Sequence, residues 1–382
     1  MKKALLISLF AILATFNAFS VEIIHGPYLQ NLTENRVTIV WITDSVTVGW
    51  VELAPDDKSV FYDDPRPRYY DAPTGVKESS TIHSVTIDGL QPNTTYRYRV
   101  YATQVTGHVE NYVTYGRTVA SSPYDLLTFH TVNPDAPSVS FGIVNDIHGD
   151  NEKLSSLIGK CDLKKTDFFI FNGDMISVSE TQEQVFEGFM DTAVKLFAQT
   201  IPMYYSRGNH ETRGAMATRF KKYFSPGEDH IYYTFRQGPV FFIVLDGGED
   251  KPDSDIEYYD ITDYDTYRTK EAEWLSEVVS SAEYKNAPFR VVLCHMPPEK
   301  NWHGSYEILQ KFVPVLNGAK PDLFISGHNH SYQWNGPNGK TRFPVLINDN
   351  NSIVKVTADK SSLDISIVNT EGKTTDTHKI TR

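Results

Sequence analysis

Cysteine is almost missing from this chain: its 382 residues include two, Cys161 and Cys294. That excludes a disulfide framework. Both sit inside or beside apolar segments and read as buried thiols. Long hydrophobic runs are also missing, because no stretch after residue 20 reaches the length of a membrane span. Positive charge is in deficit. Thirty-six Lys and Arg against 48 Asp and Glu leave a formal charge of −12. A field of that sign attracts neither duplex nucleic acid nor an anionic membrane. Any phosphate chemistry therefore needs positive charge supplied locally. There is no internal repeat and no low-complexity tract. With 40% hydrophobic and 13% aromatic residues, the chain can bury a sizeable core and is not globally disordered.

The first twenty residues read as a secretory signal peptide rather than fold. Lys2 and Lys3 form a positive start, and Ala4 to Thr15 is apolar but short. Ala18 and Ser20 put small residues three and one before a cut after Ser20. The expectation is an exported protein, periplasmic or secreted, with no stable membrane anchor. The Met-Lys-Lys start is of bacterial type.

The remainder divides by periodicity. From 21 to 131 the pattern is all-β. Arg36–Ile42 is a strand candidate, and Tyr96–Val100 alternates strictly, with Tyr96, Tyr98 and Val100 on one face and Arg97 and Arg99 on the other. Residues 132–137 (VNPDAP) read as a linker. From 138 to 382 short apolar runs alternate with helical stretches, the candidate helices being Glu183–Ala198, Lys270–Ala282 and Tyr306–Leu316. That alternation predicts an α/β domain with buried strands. The segment after Phe343 alternates enough to supply final strands of a second sheet.

The polar residues of the second half fall at the ends of its apolar runs. VSFGIV (139–144) leads to Asp146 and His148, and DFFIF (167–171) to Asp174. PMYY (202–205) leads to Arg207, Asn209, His210 and Glu211. RVVLC (290–294) leads to His295, and DLFIS (322–326) to His328 and His330. The carboxyl ends of strands are where α/β sheets bind ligands. Five such placements in a row are hard to attribute to chance. The donors are carboxylates, imidazoles and one amide, a set that suits Zn, Mn, Fe or Co, and there are enough for two ions. Two metals roughly 3.5–4 Å apart acidify a bridging water and clamp the oxygens of an in-line displacement at phosphorus. Gly173, Gly208 and Gly327 permit sharp turns and close backbone approach.

In order, D-x-H (146–148), G-D (173–174), G-N-H-E (208–211), V-x-x-H (292–295) and G-H-x-H (327–330) resemble the calcineurin-like metallophosphoesterase superfamily. The resemblance implies a four-layer α/β/β/α catalytic domain and two divalent or trivalent transition-metal ions, such as Fe, Mn or Zn. By that resemblance Asp146, His148 and His330 hold the first metal, Asp174 bridges, and Asn209, His295 and His328 complete the second. His210 then faces the substrate, Glu211 orients it, and Arg207 grips phosphate oxygens as in protein serine/threonine phosphatases. The front half has its own resemblances. LQPNTTY (90–96) resembles the stretch before a late strand of fibronectin type III domains, where the Tyr makes a corner hydrogen bond. GPYLQ (26–30) followed by VTIVW (37–41) resembles the N-terminal domain of purple acid phosphatases. Two departures qualify that likeness. Purple enzymes read D-x-G and G-D-x-x-Y, whereas this chain has His148 for the Gly and Ser177 for the Tyr. His148 is inferred to replace the phenolate, so the protein should not be purple.

Two further features call for a reading. His303, soon after the His295 motif, is a candidate for the substrate pocket, with an exposed loop as the alternative. Between Asp246 and Tyr267 lie nine acidic residues, one lysine and four tyrosines. They read either as a solvated acidic loop or as a lid whose Tyr258, Tyr259, Tyr264 and Tyr267 stack on an organic leaving group. The combined expectation is a fibronectin type III-like all-β sandwich, followed by a metallophosphoesterase domain that hydrolyses small-molecule phosphate monoesters through a metal-bridging hydroxide. A phosphodiesterase or nucleotide hydrolase is the enzymatic alternative. A surface binding module with a vestigial site is the alternative from another class.

Overall fold

The structure is a computed structural model that describes residues 21–122, 126–224 and 229–382. The segment read as a signal peptide lies outside the described residues. Among the described residues, seven strands between Ile23 and His130 form a β-sandwich. Its spine is one 20-residue strand, Arg36–Pro55. The first part of this strand pairs with Ile23–Gln30 and Ser79–Asp88. After a register shift between Ile42 and Thr47, the second part pairs with Thr95–Val109 and Arg68–Tyr69. One strand thus serves both layers, and Trp41, Val51, Val85 and Tyr98 pack between them.

The predicted alternation holds, since Tyr96, Tyr98 and Val100 are buried while Arg97 and Arg99 are only partly so. Tyr96 Oη accepts a hydrogen bond from the Gln91 amide at 2.9 Å, closing the corner that the front-half resemblance implied. Tyr96→Phe removes that acceptor and little else. It should cost about 1 kcal/mol in urea unfolding; an unchanged midpoint would show the corner to be idle.

The sandwich is braced against the second half. Tyr28, Val40 and Ile42 share an apolar cluster with Phe171, Phe186 and Phe189. Tyr98 Oη donates to the Gln199 carbonyl at 2.8 Å, and the His25 ring stacks on Phe186 at 4.2 Å.

The described residues of the second half form two six-stranded sheets. The first runs Met203–Ser206, Phe168–Asn172, Ser138–Val144, Ser352–Asp359, Ser362–Asn369, Thr374–Thr381. The second runs Tyr233–Gln237, Val240–Val244, Phe289–Leu293, Leu323–Ser326, Val345–Ile347, Gln333–Asn335. Phe141, Phe168, Phe242 and Leu346 lie in the apolar layer between the sheets. Helix Asn151–Ile158 and the helical run from Gln182 to Ala198 cover the first sheet, and helices Tyr264–Val278 and His303–Ala319 cover the second. The result is four layers, α/β/β/α. After Phe343 only Val345–Ile347 joins the second sheet. The last three strands return to the first as an antiparallel run, with Ser352–Asp359 pairing antiparallel to Ser138–Val144. The helix predicted from Lys270 starts earlier, at Tyr264. Its first turn is capped from outside, because the Asp253 carboxylate accepts from the amides of Tyr264 and Asp265, each at 2.9 Å. Acidic residues therefore suit that end of the helix. Among the described residues, no helix is long and apolar enough to cross a membrane.

Candidate metal centre

Parallel strands of both sheets end at one edge, and the candidate ligands are on the turns that follow. Asp146, His148, Asp174 and Asn209 come from the first sheet, and His295, His328 and His330 from the second. Hydrogen bonds sew the two sets together. His295 Nδ1 donates to the Asn172 carbonyl at 2.7 Å, and the His328 amide donates to Asp146 Oδ2 at 2.9 Å. Two glycines make the approach possible. A Cβ on Gly173 would fall 2.5 Å from the His295 ring, and one on Gly208 would fall 2.3 Å from the Asp174 amide nitrogen. The turns are strained as well as close. Asp146, His148, Asp174, His328 and His330 all have φ between 52° and 69°. Left-handed backbone costs a non-glycine residue roughly 1–2 kcal/mol and persists where its surroundings over-determine it.

The ligand atoms form two triads, Asp146/His148/His330 and Asp174/His295/His328, each within 4.8 Å. Within them His330 Nε2 lies 3.1 Å from Asp146 Oδ1, and His295 Nε2 lies 3.0 Å from Asp174 Oδ2. Asn209 Oδ1 is 3.0 Å from His328 Nδ1. Ser177 Oγ, at the position where purple enzymes carry Tyr, is 3.4 Å from His148 Nδ1. The donor set fits transition-metal ions. Asp146 Oδ1, His295 Nε2 and His328 Nε2 are buried without a well-directed hydrogen bond, the first two making only ion-pair approaches, an arrangement that costs free energy unless a cation is bound. The bond from His295 Nδ1 to a carbonyl fixes the tautomer that offers Nε2.

The electrostatics agree. Burial opposes charge on His295, but the Asp174 and Asp146 carboxylates outweigh it and push its pKa up to about 10. The field that holds that proton is the field a metal cation meets. Burial, reinforced by the charge on His295, lowers His328 to about 4 and keeps its imidazole neutral.

The sequence profile described as calcineurin-like phosphoesterase matches residues 139–332, half of the chain and every residue of both triads. The chain belongs to the calcineurin-like phosphoesterase family. The profile described as purple acid phosphatase, N-terminal domain, matches residues 26–115. Purple acid phosphatase 22 of Arabidopsis thaliana is 25% identical over 67% of this chain and 54% of its own length. Purple acid phosphatase 1 of Ipomoea batatas is 24% identical over 85% of this chain and 66% of its own. The chain thus spans roughly half to two thirds of the curated relatives it matches. A purple acid phosphatase from yellow lupin (Lupinus luteus) seeds superposes with a TM-score of 0.67, over 93% of this chain and 74% of that one. At 16% identity that likeness shows a shared fold.

In this calcineurin-like phosphoesterase the residues expected to face the substrate separate. His210 does face the centre. Its Nδ1 is 2.8 Å from the Ser177 carbonyl and its Nε2 is 3.8 Å from Asp174 Oδ2. Glu211 does not orient it. The Glu211 carboxylate is fully buried and accepts from the amides of Asp174, Met175, Ile176 and Gly208 and from Tyr205 Oη. It props the turn that carries Asp174. Arg207 points away from the centre, because Asp246 takes its Nε and Nη2 at 3.1 and 2.7 Å inside the protein.

An open depression of about 560 Å³ lies in front of the ligands, lined by His210, Arg213, Asp250, Lys251 and Trp302 among others. The sequence reading missed these last four. The available signal was a second arginine in the same turn, three residues after His210. His303 is not in the depression; its Nε2 is 2.8 Å from Asp265, and its neighbour Trp302 lines the wall instead. The tyrosines of the acidic segment do not line the depression either. Tyr267 Oη donates to Asp246 at 2.7 Å, Tyr264 packs near Arg207, Tyr258 is buried, and Tyr259 is exposed. Both cysteines are free, Cys294 buried and Cys161 partly so. A cleft of about 550 Å³ between the sandwich and strand Tyr233–Gln237 is lined by none of the candidate ligands.

Proposed function

We propose that this chain is an exported dinuclear-metal phosphoesterase that hydrolyses phosphate monoesters. The observation that carries the proposal is the convergence of two nitrogen-and-oxygen donor triads at the floor of one open depression. Asp146, His148 and His330 would hold one ion and Asn209, His295 and His328 the other, with Asp174 between them. When bound, such a pair supplies an acidified water and positive charge for the phosphoryl oxygens. The remaining work belongs to the chain. Ser177 holds His210 by Nδ1, so Nε2 faces the ligands, and a proton on Nε2 is placed to pass to the departing alcohol oxygen. Arg213 and Lys251 bring cationic side chains to an otherwise acidic protein at the place where a phosphate would sit. The openness of the depression supports a second reading, a phosphodiesterase, because it has room for a second ester arm. Export rests on the pattern of residues 1–20.

The test compares rates on p-nitrophenyl phosphate and bis(p-nitrophenyl) phosphate under one metal supplement, with bound metal counted. We expect two ions per chain and a dominant monoester rate. His210→Asn should lower kcat roughly 10²–10⁴-fold while the metal count stays at two. A dominant diester rate would make the protein a phosphodiesterase. Little bound metal and no rate on either ester would leave a binding module.

A further inference from the structure

Two arginines flank the turn that carries Asn209 and His210, and two acids of one segment receive them. Arg207 is paired with Asp246 and enclosed, only 8% of its side chain being exposed. Arg213 stands at the wall of the depression with 27% exposed. Its Nε and Nη2 donate to the two Glu249 oxygens at 2.8 and 2.7 Å, and Nη2 is also 3.4 Å from Asp250. Glu249 is itself held from behind, because Arg268 donates to the carbonyls of Gly247 and Glu249. One edge of the Arg213 guanidinium is thereby fixed. The other, Nη1, lies 3.4 Å from His210 Nε2, beside the space in front of Asp174.

We propose that Arg213, and not Arg207, grips the substrate phosphate, and that it selects monoesters over diesters. The inference rests on the phosphoesterase function proposed above. A monoester carries about −1.5 to −2 at neutral pH, with three terminal oxygens. A diester carries one charge and two terminal oxygens, so it has no charged oxygen to spare for a donor outside the metal ligands. A planar guanidinium bound along one edge still presents donors along the other, which the compact ammonium of lysine cannot do in the same geometry. The start of the acidic segment acquires a role on this account. Asp246 withdraws one arginine and Glu249 aims the other.

The experiment uses the full, metal-loaded chain and its Arg213→Ala and Arg213→Lys variants. It reads kcat/KM for both nitrophenyl esters, the affinity for inorganic phosphate by calorimetry, and bound metal. In Arg213→Ala, monoester kcat/KM should fall on the order of 10–100-fold and phosphate affinity should fall with it. Diester kcat/KM should move less than about threefold on the same grounds, and the metal count should hold. Arg213→Lys should recover part of the loss. Equal losses on both esters, or unchanged monoester rate and phosphate affinity, would overturn the proposal. If the wild type hydrolyses neither ester, the functional proposal fails on its own. Phosphate affinity then decides for Arg213, and equal affinity in wild type and Arg213→Ala rejects it.

Discussion

Asp174→Asn should lower kcat on p-nitrophenyl phosphate by at least about 10³-fold and release metal, although the side chain keeps its shape. Asp174 is buried at the junction of the two triads, where its carboxylate meets His295 Nε2 at 3.0 Å and the His210 amide at 2.9 Å. Burial works against its charge, but His295 and His210 outweigh burial and hold its pKa below the usual carboxylate range. The residue is therefore an anion at neutral pH, and the asparagine amide removes that anion without opening a cavity. Steady-state rates and elemental analysis of the same preparation provide the check. A variant that kept both ions and more than a tenth of the rate would mean that Asp174 does not link two metals.

Glu211 should behave as a structural residue, with an effect on stability as large as any in the chain. Glu211→Ala strips the acceptor from four backbone amides and from Tyr205 Oη, all in the interior. Each buried donor left without an acceptor costs about 1–3 kcal/mol, so the total loss should be at least about 3 kcal/mol. Glu211→Gln keeps the volume but turns one acceptor into a donor facing donors, and should cost about 1–3 kcal/mol. Urea unfolding midpoints measure both. Metal affinity should fall with stability, because the amides that Glu211 holds belong to the turn that carries Asp174. If Glu211 instead oriented His210, the Gln variant would unfold like the wild type and show a displaced pH–rate profile. That result would restore the orienting role.

The difference between Glu211 as expected and as found shows where local information stops. A residue one to five positions beyond a buried strand must appear at the strand's carboxyl end, because five residues cannot carry it far. The strands were readable as apolar runs, so the seven candidate donors were readable with them. The β-sandwich was readable for a similar reason. Period-two alternation in Tyr96–Val100 assigns faces without knowledge of the partner strand, and Tyr96 closes its corner onto an amide only five residues away. The acidic segment was harder, because the same run of Asp and Glu serves as ion-pair partner, helix cap and pocket rim. Each role depends on what lies opposite. By itself, then, the sequence determined which residues gather at one edge of the sheets and which chemistry their donors suit. Only the tertiary structure decided that the last three strands return to the first sheet, that His303 turns to Asp265 and leaves the wall to Trp302, and that Arg207 faces inward while Arg213 faces out. Long side chains have several rotatable bonds, and the charged partner selects among their directions. For Arg207 that partner is Asp246, 39 residues away. For Arg213 it is Glu249, 36 residues away. No local pattern carries a contact at that separation, so packing settles it.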